Sequence, residues 1–130
     1  MNPRTAKDKG RRFENSIVTY LTGAGWPYTE RRRLAGSADK GDMSGIPAVM
    51  IEAKAHREYK LPAWMREVDV QTQHAKANIG ALWMKLNGKA EAVDGLVVMR
   101  PETFVRLLRE AGYGPPLDTL GSREVDSELQ

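Results

Sequence analysis

Apolar side chains recur at Phe13, Ile17, Leu21 and Ala24, three or four residues apart, with polar and basic residues between them. That spacing predicts a helix over residues 5–23, with Gly23 and Gly25 as stop signals. Trp26-Pro27 then breaks the chain, and the alternation in residues 28–34 (YTERRRL) predicts a strand with arginines on its open face. Residues 35–42 (AGSADKGD) read as a loop by their Gly, Ser and Asp content. Met43-Ser44 begin a short strand, which Gly45-Ile46-Pro47 turn into a longer one over residues 48–55. The next stripe is Leu61, Met65, Val68, Thr72, Ala75 and Ile79, which predicts a helix over residues 62–78 with Pro62 in its first turn and Gly80 ending it. Two apolar runs, 81–86 and 92–99, lie on either side of Asn87-Gly88 and predict a hairpin. Pro101 opens a last helix with Phe104, Leu107, Leu108 and Ala111 on one face.

The predicted order is therefore α-β-β-β-α-β-β-α, an α/β protein built as a mixed sheet of about five strands flanked by helices. Residues 1–111 read as the folded domain. Residues 112–130, rich in Pro, Gly and acid, read as a loosely docked tail.

Charge changes this picture more than composition does. The tail holds one basic residue, Arg123, against Asp118, Glu124, Asp126 and Glu128, so the overall net charge of +3 hides a more basic remainder. Within that remainder Arg4, Lys7, Lys9, Arg11 and Arg12 form one cluster and Arg31, Arg32 and Arg33 another. Clusters of this kind point to a polyanion, because neutralising phosphates releases counterions. A solvated surface with ordinary lysines and arginines is the competing reading. The absence of cysteine excludes a disulfide framework and thiolate metal sites, and fits a reducing compartment. The basic N-terminus lacks the apolar core of a secretory signal, and no stretch approaches the roughly 20 apolar residues of a membrane span. The expectation is a soluble cytoplasmic protein.

The chemistry concentrates in residues 41–56, GDMSGIPAVMIEAKAH. Alternation along the strand puts Val49, Ile51 and Ala53 on one face and Met50, Glu52 and Lys54 on the other, with Glu52 and Lys54 about 7 Å apart. Acid-x-Lys occurs twice, as Glu52-Ala-Lys54 and as Glu58-Tyr-Lys60. Only the first lies in an apolar strand, where charge is expensive to leave unpaired. Asp42, ten residues upstream, returns beside Glu52 if the chain turns at residues 45–47. Two hard carboxylates converging on one point suit Mg²⁺, which takes oxygen ligands and keeps several waters. Glu14, adjoining the apolar stripe of the first helix, is a third acid for the same cleft. The competing reading of Asp42, Glu52 and Lys54 is a structural salt-bridge cluster.

In sequence order, Lys9-Gly10-Arg11-Arg12-Phe13-Glu14, Lys40-Gly41-Asp42 and Ile51-Glu52-Ala53-Lys54 resemble the PD-(D/E)xK nucleases, and more narrowly the archaeal-type Holliday junction resolvases. The resemblance implies a restriction-endonuclease-like fold over residues 1–111 and a Mg²⁺-dependent endonuclease, with Mn²⁺ able to substitute. It implies Asp42 and Glu52 as metal ligands together with the backbone carbonyl of Ala53. Lys54 would then orient or deprotonate the attacking water or stabilise charge on the phosphate, and Glu14 would complete the metal shell or bind a second ion. DNA, as a branched four-way junction, is the implied partner; paired cuts imply a homodimer. Either the apolar face of the 62–78 helix or the strand at 92–99 would supply its interface. Lys9, Arg11, Arg12, Arg31, Arg32, Arg33, Lys40 and His56 are the candidate DNA contacts, and Ser37 the candidate contact near the scissile phosphate. Flaps, forks or duplex DNA, and a non-catalytic nucleic-acid-binding module, are the alternatives. Trp26, Trp64 and Trp83 read as core or interface, and Met50, Met65, Met84 and Met99 as core fillers.

Overall fold

The computed structural model describes residues 3–32 and 41–115, with side chains from Lys7 onward. Helix α1 spans Pro3–Ala24, strand β1 Glu30–Arg31, β2 Met43–Ser44, β3 Val49–Lys54, helix α2 Leu61–His74, β4 Ile79–Met84, β5 Leu96–Val98 and helix α3 Pro101–Glu110. The element order is the predicted α-β-β-β-α-β-β-α, with a 3₁₀ turn added at Ala92–Asp94. Two compact units divide the chain, Met1–Met99 and Arg100–Gln130.

In the first unit β3 and β4 run parallel, joined across α2, and β5 adds to β4 antiparallel. Strand pairing keeps opposed residues on one face, so Met50, Glu52 and Lys54 share a face with Gly80, Leu82 and Met84. Two cores follow from this alternation. On one face Ile51 and Trp83 pack with Phe13 and Ile17 of α1, with Met43 and with Ala92. On the other, Met50, Leu82 and Met84 pack with Trp64, Met65 and Val68 of α2. The spacing of Phe13 and Ile17, and of Trp64, Met65 and Val68, is what turns one side of each helix to the sheet. Trp64 and Trp83 are core residues as expected, while Trp26 is about half exposed at 46%. The Trp83 indole N–H donates to the Ala92 carbonyl at 3.0 Å, and the Ala92 N–H donates to Ser16 Oγ at 2.7 Å, which ties the 3₁₀ turn to α1.

The expected sheet of about five strands is, among the described residues, two sheets: β1-β2 and β3-β4-β5. The cause is visible where β2 approaches β3. The Asp42 N–H donates to the Ile51 carbonyl at 2.8 Å, but the next donor along that edge, the Ala53 N–H, is taken by the Asp42 carboxylate at 2.7 Å. A side chain thus replaces the backbone partner that would have continued the ladder.

Other boundaries move for local reasons. The predicted hairpin is present, with β4 and β5 antiparallel, but its connection is longer than a turn at Asn87-Gly88, because residues 92–94 coil under Trp83 and leave only Leu96–Val98 as strand. The predicted 62–78 helix stops at His74, and Ile79 belongs to β4. The predicted 28–34 strand is paired at Glu30–Arg31, and its last two residues lie outside the described set. Residues 116–130 of the predicted tail lie outside it as well. In the second unit α3 shows the expected Pro101 start.

Gly41 has a φ of +94°, and a Cβ there would stand 2.5 Å from Met50 Sδ and 2.9 Å from the Ile51 carbonyl oxygen. Both the dihedral and the space exclude a side chain. Gly41→Ala is expected to cost at least about 2 kcal/mol in urea denaturation, from the left-handed penalty plus the contact with fixed backbone. Unchanged stability would show that the 41–42 backbone relaxes freely.

Candidate active site

Gly41 delivers Asp42 to the edge of β3, where its Oδ2 accepts the Ala53 N–H. Successive strand residues direct their backbone polar groups to opposite edges. Ile51 faces Asp42 through its carbonyl, while the Lys54 carbonyl faces the β4 side and accepts the Lys85 N–H at 2.8 Å. The Ala53 carbonyl therefore lies on the same edge as Asp42, beside the carboxylate that already holds its N–H.

Glu52 projects from the α2 face and is 6% exposed. Its Oε2 lies 3.5 Å from Lys54 Nζ, so the two charges expected on one face are an ion pair. Lys54 Nζ also meets Glu67 Oε2 of α2, at 2.8 Å. Burial works to lower the Lys54 pKa, but the hydrogen bond to Glu67 and the charges of Glu52 and Glu67 outweigh it and hold the ammonium above its ordinary value. Lys54 is thus a firmly charged cation.

A cavity of about 380 Å³ gathers these groups: Lys9 and Glu14 from α1, Asp42, Glu52, Ala53 and Lys54 from the strand edge, and His56 and Arg57 beyond it. Glu14 Oε1 accepts from Arg31 Nε at 2.9 Å, so Arg31 reaches the rim through its partner. His56 stacks obliquely on Trp64, with ring centroids 5.6 Å apart. Partial burial first, then the charges of Lys54, Lys60 and Lys9 against the opposing Glu67, hold its pKa below the usual histidine value. Burial, then the charge of Lys9, likewise lowers the pKa of Lys85, at the end of β4. Cations from α1, from the loop after β3 and from the end of β4 therefore share one field, the kind of electrostatics that suits a polyanion.

The structure thus brings together Glu14, Asp42, Glu52, Ala53, Lys54, Lys9 and His56. Others of the expected contacts stand apart. Arg11 and Arg12 are exposed on α1, Arg11 beside Asp8 at 3.6 Å. Arg32 lines a separate cavity with Tyr28 and residues 45–49. Arg33, Ser37 and Lys40 lie outside the described residues. Among the described residues no group of three or more His, Cys, Asp or Glu is placed to hold a metal. Asp42, Glu52 and Ala53 line one cavity, and a carboxylate or carbonyl oxygen is the ligand type that Mg²⁺ takes.

Two side chains escaped the sequence reading: Glu67, the closest partner of Lys54, and Arg57 of the cavity wall. Glu67 carried the signal that singled out Glu14, an acid adjoining the apolar stripe of its helix, here next to Val68 and one turn after Trp64. No family model, no curated protein and no solved structure matches this chain.

Proposed function

We propose that the chain is a Mg²⁺-dependent DNA endonuclease of the PD-(D/E)xK type, with a restriction-endonuclease-like fold, acting as a homodimer on four-way junctions. One observation carries the reading: the Asp42 carboxylate docks on the Ala53 N–H, in a cavity it shares with buried Glu52 and its ion-pair partner Lys54. The element order and the parallel β3–α2–β4 unit also support it.

In this mechanism Asp42, Glu52 and the Ala53 carbonyl would hold the cation. When bound, Mg²⁺ supplies Lewis acidity toward the phosphate and lowers the pKa of a coordinated water. Lys54, kept charged by Glu52 and Glu67, sets its ammonium against the charge that develops on the phosphate. Lys9, His56 and Arg57 hold the flanking backbone, and contacts to phosphate position the strand without reading its bases. Junction preference rests on the resemblance alone. The stripe Trp64, Met65 and Val68 is buried within the first unit, so of the two candidate dimer faces β5 is favoured, where Leu96 and Val97 are each 48% exposed.

A second reading has an observation of its own: Lys54 bridged between Glu52 and Glu67 suits a structural salt-bridge cluster on a non-catalytic nucleic-acid-binding surface. The deciding experiment offers a labelled four-way junction, a flap and a linear duplex, each with Mg²⁺, Mn²⁺ or EDTA. Paired symmetric cuts on the junction, absent in EDTA, are expected. Cutting of all three substrates keeps the nuclease and removes the junction claim. Binding without cutting in either metal favours the second reading.

A further inference from the structure

The Lys54 ammonium lies closer to Glu67, at 2.8 Å, than to Glu52, at 3.5 Å. The two carboxylates differ in kind. Glu52 sits inside the strand at 6% exposure and faces the candidate cation position, whereas Glu67 comes from α2 with its side chain 45% exposed. An acid that ligates a divalent cation cannot hold a neighbouring ammonium as strongly, because the cation withdraws the carboxylate's charge and repels the lysine. A catalytic lysine in such a site needs a second anion that is not itself a ligand. Removing Glu67 leaves Lys54 with Glu52 alone as its tether, the carboxylate that the cation would claim.

We infer that Glu67 is the positioning residue of Lys54: it anchors the ammonium to α2 while Glu52 serves the metal, so that Lys54 stays aimed at the phosphate. This rests on the nuclease reading above. α2 supports the role mechanically. Trp64, Met65 and Val68 fix it to the β3–β4 face, with Val68 1% exposed, so Glu67 projects from a rigid element rather than from a loop.

The test compares wild type, Glu67→Gln, Lys54→Met and the double variant. Three quantities are read: single-turnover cleavage of a four-way junction in Mg²⁺, junction affinity in EDTA, and Tm in EDTA. Glutamine keeps the size of Glu67 at a half-exposed position, so the fold should survive. Glu67→Gln is expected to slow cleavage between about 10- and 100-fold, the range for loosening an oriented catalytic group, with affinity within about twofold of wild type. In the Lys54→Met background the same change should have no further effect on the rate, and the Tm shifts of the single variants should not add.

Four results overturn the inference: unchanged cleavage by Glu67→Gln; a similar slowing with and without Lys54; affinity falling in step with rate; or additive Tm shifts, which would show that the two side chains do not interact. A wild type that cuts none of the substrates overturns the nuclease reading and the positioning role with it. A wild type that cuts while Glu67→Gln cuts equally well overturns this inference alone.

Discussion

Asp42→Asn is expected to lower junction cleavage by at least about a thousandfold while fold and DNA affinity stay close to wild type. The two carboxylate oxygens of Asp42 have separable roles. Oδ2 accepts the Ala53 N–H at 2.7 Å, and an asparagine carbonyl accepts the same bond. The edge of β3 therefore stays closed, and on the nuclease reading the change that matters is the loss of the charge proposed to hold the metal. Asp42→Ala behaves differently. It also strands the Ala53 N–H, at a cost of about 1–3 kcal/mol if water does not replace the partner. Comparing the two separates charge from structure, with cleavage read by gel, affinity in EDTA and stability in urea. On the non-catalytic reading, Asp42→Asn leaves function untouched and only removal of the basic side chains matters. Full activity in Asp42→Asn would therefore remove Asp42 from the metal site.

The helix ends show where sequence reasoning reached and where it stopped. The three helices among the described residues close in the same way, with a residue in the left-handed region just past the cap and two backbone hydrogen bonds returning to the last turn. After α1 and α3 that residue is a glycine, Gly25 and Gly112, and both ends were legible. After α2 it is Lys76, with a φ of 51°. Its N–H donates to the Gln73 carbonyl and the Ala77 N–H to the Thr72 carbonyl, each at 3.0 Å. No residue type announced this stop, so the apolar stripe was carried on through Ala75 and Ile79 into what is strand.

The site divides along a similar line. Glu52 and Lys54 were legible because period-2 alternation and an apolar strand are local facts. The ion pair from Lys54 to Glu67 is set by how α2 lies across β3, a tertiary fact that spacing within either element does not contain. Asp42 stood between the two cases. Its approach to Glu52 could be argued from the turn at residues 45–47, but not that its carboxylate would take the Ala53 N–H and thereby split one expected sheet into two.

Lys54→Met carries the second large effect, on stability, and it separates a metal site from a structural salt bridge. The substitution leaves the carboxylates of Glu52 and Glu67 facing each other where an ammonium stood 3.5 and 2.8 Å from them. The expected loss is about 3 kcal/mol, at the lower end for a broken buried pair because water screens the half-exposed Glu67. Lys54 is held above its ordinary pKa of 10.5, with burial opposing and Glu67 and Glu52 prevailing. A group raised in the folded state contributes stability that is complete below the unfolded value and lost as pH climbs through the folded one. The gap between wild type and Lys54→Met in EDTA should accordingly be level through neutral pH and, on the alkaline side, narrow above about 10.5. Glu52→Gln added to Lys54→Met should recover part of the loss on either reading, by removing one of the two opposed charges. The divalent cation decides between them. A ligand that binds only the folded chain raises Tm by mass action. At a true Mg²⁺ site Lys54→Met should gain more from Mg²⁺ or Mn²⁺ than wild type does, since the cation no longer competes with the ammonium for Glu52. That gain should vanish once Glu52→Gln or Asp42→Asn is added. A Tm of Lys54→Met that no divalent cation moves would mean that Glu52 and Lys54 serve the fold alone.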